Sequence, residues 1–250
     1  MLSDQIIFVT GASSGIGAAC AEVFSAQGAK ILLAARRIDR LKTLAKRLPT
    51  KSHCVELDVS NRKQVDELLD SLPAEWREID VLINNAGLSR GLDKVQQAKH
   101  QDWEEMIDTN VKGLLYVTRA VVPGMLERGR GHIINIGSIA GHEVYPGGSV
   151  YCASKHAVRA LTQGLRMDLL GTPLRVSSVD PGLVETEFSL VRFRGDAERA
   201  KSVYKGLQPL TPHDVADVVL FCATRPPHVN INDVLLTPLA QASAMQAVRD

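Results

Sequence analysis

The stretch "VTGASSGIG" at residues 9–17 places three glycines directly after an apolar run, "QIIFVT" at residues 5–10. The run predicts a buried strand, and the residues after the glycines predict a helix. Gly11 permits the tight turn, Gly15 lets backbone approach a pyrophosphate, and Gly17 lets the helix pack closely against the strand. The N-terminal N–H groups of that helix would face the anion. This context favours a dinucleotide site, although the spacing is G-x-x-x-G-x-G and a tight turn without a ligand stays the alternative.

The rest of the chain repeats this alternation of strand and helix. Near-continuous apolar runs alternate with longer amphipathic segments, which predicts an α/β fold whose parallel sheet is covered on both faces. The predicted strands occupy residues 5–10, 30–35, 52–59, 79–87, 131–138, 174–182 and 232–238. The predicted helices occupy about 15–27, 37–48, 61–72, 102–128 and 150–170. No linker or repeat interrupts the sequence, so residues 1–250 should form a single domain, with an irregular substrate loop at about 183–210.

The composition excludes several classes of protein. The 250 residues include 29 basic and 28 acidic side chains, so no basic field favours nucleic acid or an anionic membrane as a partner. The four cysteines are scattered without a C-x-x-C pair, and the histidines show no ligand spacing, so we expect no metal site. No apolar run approaches the ~20 residues of a membrane span, and no export signal is visible. We therefore expect a soluble, cytoplasmic protein.

The end of the second predicted strand indicates which dinucleotide is bound. A site for NAD usually places an acidic residue there to accept hydrogen bonds from the ribose. In "LAARR" at residues 33–37, Ala35 stands at that position, and Arg36 and Arg37 follow. A forked cation suits a 2′-phosphate, and Ser13 in the glycine turn adds a hydroxyl, so the stretch favours NADP. A solvated start of the next helix is the alternative interpretation of the two arginines.

Tyr151 and Lys155 in "YCASK" at residues 151–155 are four residues apart and share one face of a predicted helix. Removing an alcohol proton needs a base that titrates near the working pH, whereas free tyrosine titrates near pH ~10. A lysine ammonium one turn away favours the phenolate. Ser138, at the end of a predicted strand, can hydrogen-bond a substrate oxygen. Without further residues in register, the Tyr/Lys pair would be an ordinary solvated helix face.

Together these motifs resemble the short-chain dehydrogenase/reductase family. The resemblance covers nearly the whole chain and follows the family's order and approximate spacing. It rests on "TGASSGIG" (10–17), "LDV" (57–59), "NNAG" (84–87), Asn110 in "DTNVKG", Ser138 in "NIGS", "YCASK" (151–155) and "PGLVET" (181–186). It implies a Rossmann-type, doubly wound parallel sheet of seven strands. It also implies hydride transfer between a nicotinamide and a carbonyl or alcohol.

The resemblance also implies a role for individual residues. The implied catalytic residues are Asn110, Ser138, Tyr151 and Lys155, with Asn110 holding a water that joins Lys155 to solvent. The implied cofactor residues are Gly11, Ser13, Ser14, Gly15, Ile16, Gly17, Arg36, Arg37, Asp58, Val59, Asn85, Ala86, Gly87, Tyr151, Lys155, Pro181, Gly182, Val184 and Thr186. Asp58 would contact the adenine edge, with a helix N-cap as the alternative. Asn84 would line the cofactor cleft and could also brace the sheet.

Three further stretches narrow the resemblance to bacterial NADP-dependent 3-hydroxy acid dehydrogenases. They are "SLPAEW" (71–76), "TRAVVPGMLERGRGHIINIGS" (118–138) and "TEFSLVRFRGD" (186–196). This subgroup oxidises small 3-hydroxy acids, including serine- and threonine-type compounds. Two other functions stay open: a short-chain reductase for a 3-oxoacyl or sugar substrate, and an NADP-binding regulatory protein on the same fold.

A carboxylate substrate would need a cation near the reacting carbon. Arg192 and Arg194 in the loop after Thr186 are candidates, as is Arg90 after "NNAG", although an arginine in such a position is more often simply solvated. Tyr145, between Ser138 and Tyr151, should form one pocket wall. The predicted substrate contacts are Ser138, Tyr145, Tyr151 and Arg192. The family commonly forms tetramers through the helices near 102–128 and 150–170, so the resemblance also implies a homotetramer.

Overall fold

The computed structural model describes residues 2–250, and a single sheet of seven strands forms its centre. The strands are β1 (Ile6–Thr10), β2 (Lys30–Ala35), β3 (Ser52–Glu56), β4 (Ile79–Asn84), β5 (Gly131–Ile136), β6 (Leu174–Pro181) and β7 (Asp233–Leu236). All neighbouring pairs are parallel. Most of these segments are short apolar runs rich in Ile, Val and Leu, the composition of strands covered on both faces.

Helices follow most of the strands. Within the described residues they are α1 (Gly15–Ala26), α2 (Ile38–Ala45), α3 (Arg62–Asp66), α4 (Leu68–Ser71), α5 (His100–Ile107), α6 (Leu114–Arg128), α7 (Ser149–Asp168), α8 (Phe188–Arg192), α9 (Ala197–Ser202) and α10 (Pro212–Ala223). Among residues 2–250, no helix combines the length and apolar character needed to cross a membrane.

The strand order is β3-β2-β1-β4-β5-β6-β7, so the chain winds outward in both directions from the pair β1 and β4. This is the doubly wound arrangement, and it confirms the predicted fold class. In such sheets a crevice opens at the carboxyl ends of the strands where the winding direction reverses. The glycine turn follows β1 at this crevice, and "NNAG" begins at the end of β4.

The core consists of two apolar layers, one on each face of the sheet. Successive side chains of a strand point to opposite faces, and β1 shows this directly. Ile7 and Val9 lie in a layer with Phe24 and with residues of α2 and α10. Phe8, between them, lies in the opposite layer with Met125 and with residues of α3 and α4. The strands therefore hold their carboxyl ends in fixed positions, which sets the positions of the site residues.

Apart from shifted strand and helix ends, three predicted elements differ from the structure in type or continuity. The helix predicted at 102–128 is interrupted by a π-helical turn at Asp108–Gly113. Such a turn holds only one residue more than an α-helical turn, so the spacing of apolar residues does not indicate it. The helix predicted at 61–72 is divided into α3 and α4 at Glu67. The loop predicted at 183–210 contains α8 and α9, which are too short to show a periodic pattern.

Candidate active site

A cleft of about 710 Å³ opens at the carboxyl ends of the strands. Of the residues implied for the cofactor, the substrate and catalysis, all line this cleft except Gly17, Asn84 and Asn110. Gly17 lies in the glycine turn, Asn84 at the end of β4 and Asn110 in the π-helical turn. The sequence reasoning therefore identified one spatial site, although its residues are distributed from position 11 to position 192.

The glycine turn is tightly packed and leaves no space for side chains. Gly11 has φ +65°, and a Cβ on it would lie 2.8 Å from the Cα of Ala86. A Cβ on Gly17 would lie 2.6 Å from the carbonyl oxygen of Gly11. The side chain of Asn85 fixes the turn by donating to the carbonyls of Thr10 and Gly11, at 2.9 and 3.2 Å. Only glycine fits these two positions, and the turn is held in one shape.

Helix α1 begins at this turn with its N-terminus directed at the cleft. No side chain caps this end, and the first turn contains no acidic residue. The resulting combination of a positive helix end and a backbone cradle fits the pyrophosphate of a dinucleotide. Gly15 has φ +57°, and a Cβ there would lie 3.3 Å from the Cβ of Thr186, so the turn also closes against the segment after β6.

The two arginines after β2 have different environments. Arg37 donates from Nε and Nη2 to the Ser13 hydroxyl, at 3.1 and 2.9 Å, and from Nη2 to Ser14 at 2.8 Å. Its Nη1 donates to Glu187 at 3.0 Å. Arg36 is more exposed and lies 4.0 Å from Asp58. A cluster of two guanidinium groups and two hydroxyls at this position fits a 2′-phosphate.

Asp58 closes a turn at the cleft wall and is not a helix N-cap. Its Oδ1 accepts from the backbone N–H and the hydroxyl of Ser60, at 3.0 and 2.7 Å, which closes the turn after β3. The N-cap of α3 is Asn61, so Asp58 does not cap that helix. Its Oδ2 lies on the side of Arg36, at the wall of the cleft where Val59 also lies. The adenine contact stays a prediction.

The expectation that Asn84 lines the cofactor cleft is wrong. The Asn84 side chain is buried, and its Nδ2 donates to the Thr118 hydroxyl at 3.0 Å and to Asn135 Oδ1 at 2.9 Å. It joins β4, β5 and α6, which is the bracing role. A side chain at the last position of a parallel strand points to one face of the sheet, so Asn85, one residue later, reaches the cleft instead.

Tyr151 and Lys155 lie on α7 with their side chains at the floor of the cleft, and both are about 8 % exposed. Lys155 Nζ donates to the Ile136 carbonyl at the end of β5, at 2.9 Å. Ser138 follows β5 and starts a short 3₁₀ turn, where its hydroxyl accepts from the Ala140 N–H at 3.1 Å. Ser138, Tyr151 and Lys155 therefore share one wall.

Asn110 is held by protein groups on both sides of its amide. Its Oδ1 accepts from the Leu88 N–H and its Nδ2 donates to the Leu88 carbonyl, both at 2.8 Å. Nδ2 also donates to Ser154 on α7 at 3.0 Å. Asn110 thus fixes the loop after β4 against α7. The water expected between Asn110 and Lys155 stays a prediction.

Burial sets the protonation of the Tyr/Lys pair. It raises the pKa of the Tyr151 phenol, with Tyr145 adding to the rise, while Arg192 and Ser138 lower it in part. Burial also lowers the pKa of Lys155 to about 8, partly offset by Asp180. Desolvation disfavours the charged form of each group. Ionisation of Tyr151 to the phenolate therefore needs nearby positive charge, which the Lys155 ammonium and an oxidised nicotinamide would supply.

Only one of the three candidate arginines faces the reacting groups. Arg192 Nη2 donates to the Tyr145 hydroxyl at 3.1 Å, and its guanidinium lies 5.2 Å from the centre of the Tyr151 ring. Arg194 forms ion pairs with Asp102 and Glu105, and Arg90 pairs with Glu105. Arg90 and Arg194 therefore hold the segments after β4 and β6 against α5. Their assignment as carboxylate-binding residues is not supported.

The segment after β6 forms the opposite wall, and it contains residues that the sequence reasoning missed. Pro181, Gly182, Val184 and Thr186 line it as expected. Gln241, which is buried, accepts from the Leu183 N–H at 2.8 Å and holds this segment. Glu187 and Phe188 also line the cleft. Glu187 and Phe188 directly follow the "PGLVET" motif, so their position in the sequence could have indicated them. No motif near Gln241 indicates its role.

Several known proteins are similar to this chain in sequence and in fold. A family model described as short chain dehydrogenase matches residues 5–195. The chain therefore belongs to the short-chain dehydrogenase family.

An NADP-dependent 3-hydroxy acid dehydrogenase of Salmonella typhi is 51 % identical over 241 residues, covering 96 % of this chain and 97 % of that protein. A protein of the same description from Schizosaccharomyces pombe is 47 % identical over 253 residues, covering 99 % and 98 %. The closed form of a serine dehydrogenase complexed with NADP+ is 48 % identical, with a TM-score of 0.94 and coverage of 98 % of this chain and 100 % of that one.

Proposed function

We propose that this protein oxidises the hydroxyl of a small 3-hydroxy acid, such as serine or a related compound, with NADP as the hydride acceptor. The observation that carries this proposal is Arg192, a cation whose guanidinium lies 5.2 Å from the Tyr151 ring inside the dinucleotide cleft. The relatives described as NADP-dependent 3-hydroxy acid dehydrogenases, at 51 % and 47 % identity, support the same substrate class.

Tyr151 is the general acid/base in this proposal. As the phenolate, its oxygen takes the hydroxyl proton of the substrate while a hydride leaves the carbon that bears this hydroxyl. When bound, the oxidised nicotinamide supplies the hydride acceptor and a positive charge. Lys155, with its pKa lowered to about 8, holds the ribose and contributes positive charge while it is protonated. Ser138 orients the substrate oxygen by hydrogen bonding.

Arg192 binds the carboxylate in this proposal. Its guanidinium stacks on the Phe188 ring at 5.0 Å and is held by the Tyr145 hydroxyl, so its direction is fixed. Within residues 2–250 its buried Nε has no hydrogen-bond partner. The Nη groups of this guanidinium, which lines the cleft, are the donors that a substrate carboxylate would reach. A 3-hydroxy acid then extends from Arg192 to Tyr151.

The test compares 3-hydroxy acids with their neutral methyl esters as substrates with NADP+. Removing a charge-assisted hydrogen bond costs about 1.5–3 kcal/mol, so Arg192→Ala should raise KM for the acid about 10- to 150-fold and change KM for the ester much less. Arg47→Ala is the control, because it removes an exposed arginine that pairs with Glu22 and does not contact this loop. It should leave the ratio of acid to ester KM unchanged.

A parent enzyme that handles the ester as well as the acid would contradict carboxylate recognition. A neutral 3-oxoacyl or sugar compound would then be the substrate class to examine. A protein that binds NADPH but turns over none of these compounds would match a regulatory role on this fold.

We also propose a cytoplasmic homotetramer. Four cysteines without disulfides suit a reducing compartment. Large apolar side chains are exposed on α6 at Leu115 and Leu126, and at the end of α7 at Met167 and Leu170. These are the helices through which the family commonly assembles. Light scattering on the purified protein decides the oligomeric state.

A further inference from the structure

Glu187 connects the arginine cluster of the cofactor site to the substrate loop. It immediately precedes α8, while Arg37 and Arg40 lie about 150 positions earlier in the chain. Arg40 Nη1 donates to both carboxylate oxygens at 2.7 Å, and Arg37 Nη1 donates to Oε2 at 3.0 Å. The carboxylate is thus shared by two guanidinium groups from a different part of the fold.

The other end of α8 lies at the reacting groups. The helix has five residues and spans only about 7.5 Å at 1.5 Å per residue, so its two ends move as one body. Phe188, beside Glu187, lies 5.6 Å from the Tyr151 ring between centroids. Arg192, its last residue, faces the same ring at 5.2 Å. A shift of Glu187 therefore displaces the proposed carboxylate-binding arginine.

The electrostatics keep this contact intact at neutral pH. The Arg40 guanidinium lowers the pKa of the Glu187 carboxyl below its usual range, with Arg37 contributing and burial opposing. Glu187 is therefore an anion throughout the neutral range. Arg40 lies outside the residues that line the cleft, so within this site it acts through Glu187 and not on a ligand.

We propose that Glu187 is a positioning residue: its ion pairs with Arg37 and Arg40 hold α8 so that Arg192 faces Tyr151. This inference rests on the proposed function only for the role of Arg192. The same arginine cluster serves the cofactor 2′-phosphate and the loop over the substrate. A 2′-phosphate bound at this cluster would therefore be linked to the position of α8 through Glu187.

The first test needs neither cofactor nor substrate. Hydrogen exchange of the backbone amides of 188–193 is measured in the parent, in Glu187→Gln, in Arg40→Gln and in the double variant. Both single variants should speed exchange of these amides about two- to fivefold, the range expected for partly exposed ion pairs, and the double variant should add little more. Arg47→Gln is the matched control, because Arg47 lies two residues after α2, the helix that contains Arg40, and pairs with a distant acid, Glu22, at 3.2 Å.

The second test is kinetic and uses saturating NADP+. Both single variants should raise KM for the 3-hydroxy acid about two- to fivefold, by more than kcat falls, and Arg47→Gln should not. Exchange at 188–193 unchanged in both variants would overturn the inference. Tighter NADPH binding in Glu187→Gln without faster exchange would also overturn it. The Glu187 carboxylate would then only compete with the cofactor 2′-phosphate for the arginines. If the parent oxidises no 3-hydroxy acid, the proposed function fails, while the exchange experiment still decides the role of Glu187.

Discussion

Removing the two arginines after β2 should weaken binding of NADPH far more than binding of NADH. The double variant Arg36→Ala and Arg37→Ala deletes the two arginines that directly follow β2, where Ala35 stands in place of an acid. A hydrogen bond to a charged group contributes about 1.5–3 kcal/mol. Both side chains are more than a third exposed, so solvent screening limits the combined loss to that range.

This range corresponds to about a 10- to 150-fold increase in the Kd of NADPH. NADH lacks the 2′-phosphate, so its Kd should change less than about threefold on the same scale. Titrating the nicotinamide fluorescence of each cofactor measures both constants without turnover. Arg47→Ala removes an exposed arginine elsewhere and controls for the change in net charge. Equal losses for the two cofactors would refute the assignment of this cluster to the 2′-phosphate, whatever their size.

Two further predictions concern catalysis and stability. Tyr151→Phe removes only the phenol oxygen and should lower kcat roughly 10²- to 10⁴-fold while NADPH binding is kept, and turnover within a factor of two of the parent would exclude Tyr151 as the acid/base. His132 is buried against Ser177, and burial lowers its pKa to about 3, whereas the unfolded imidazole titrates near 6.5. Its native form resists protonation, so the parent should lose up to about 1.4 kcal/mol of stability per pH unit as pH falls from 6.5 towards 3. His132→Asn should flatten the dependence of Tm on pH between 6.5 and 4.5, and an unchanged slope would contradict this account.

The parallel sheet could be predicted because strands buried on both faces leave continuous apolar runs in the sequence. The ends of the strands were less visible. The third strand was predicted at 52–59 and ends at Glu56, because Asp58 turns the chain by binding Ser60. The fifth was predicted at 131–138 and ends at Ile136, because Ser138 already starts a 3₁₀ turn. Local side-chain hydrogen bonds end both strands, and the pattern of apolar residues does not predict such hydrogen bonds.

The residues of the site could be found from motifs, but their partners could not. Arg90, Arg192 and Arg194 are equivalent in a sequence. They are distinguished only because α5 provides Asp102 and Glu105 for two of them and leaves the third in the cleft. The pairing of Glu187 with Arg40 joins positions 147 apart, and no spacing rule predicts such a contact.

The π-helical turn at Asp108–Gly113 limits how the length of this chain can change. It holds one residue more than an α-helical turn, so α6 is rotated by about 100° from where an uninterrupted helix would place it. That rotation lets Asn110 reach Leu88 while Gly113 lies where a Cβ would come within 2.7 Å of Val59. Deleting a single residue between them would give a more regular helix, but it could not satisfy both contacts. This segment therefore tolerates substitutions better than a one-codon deletion.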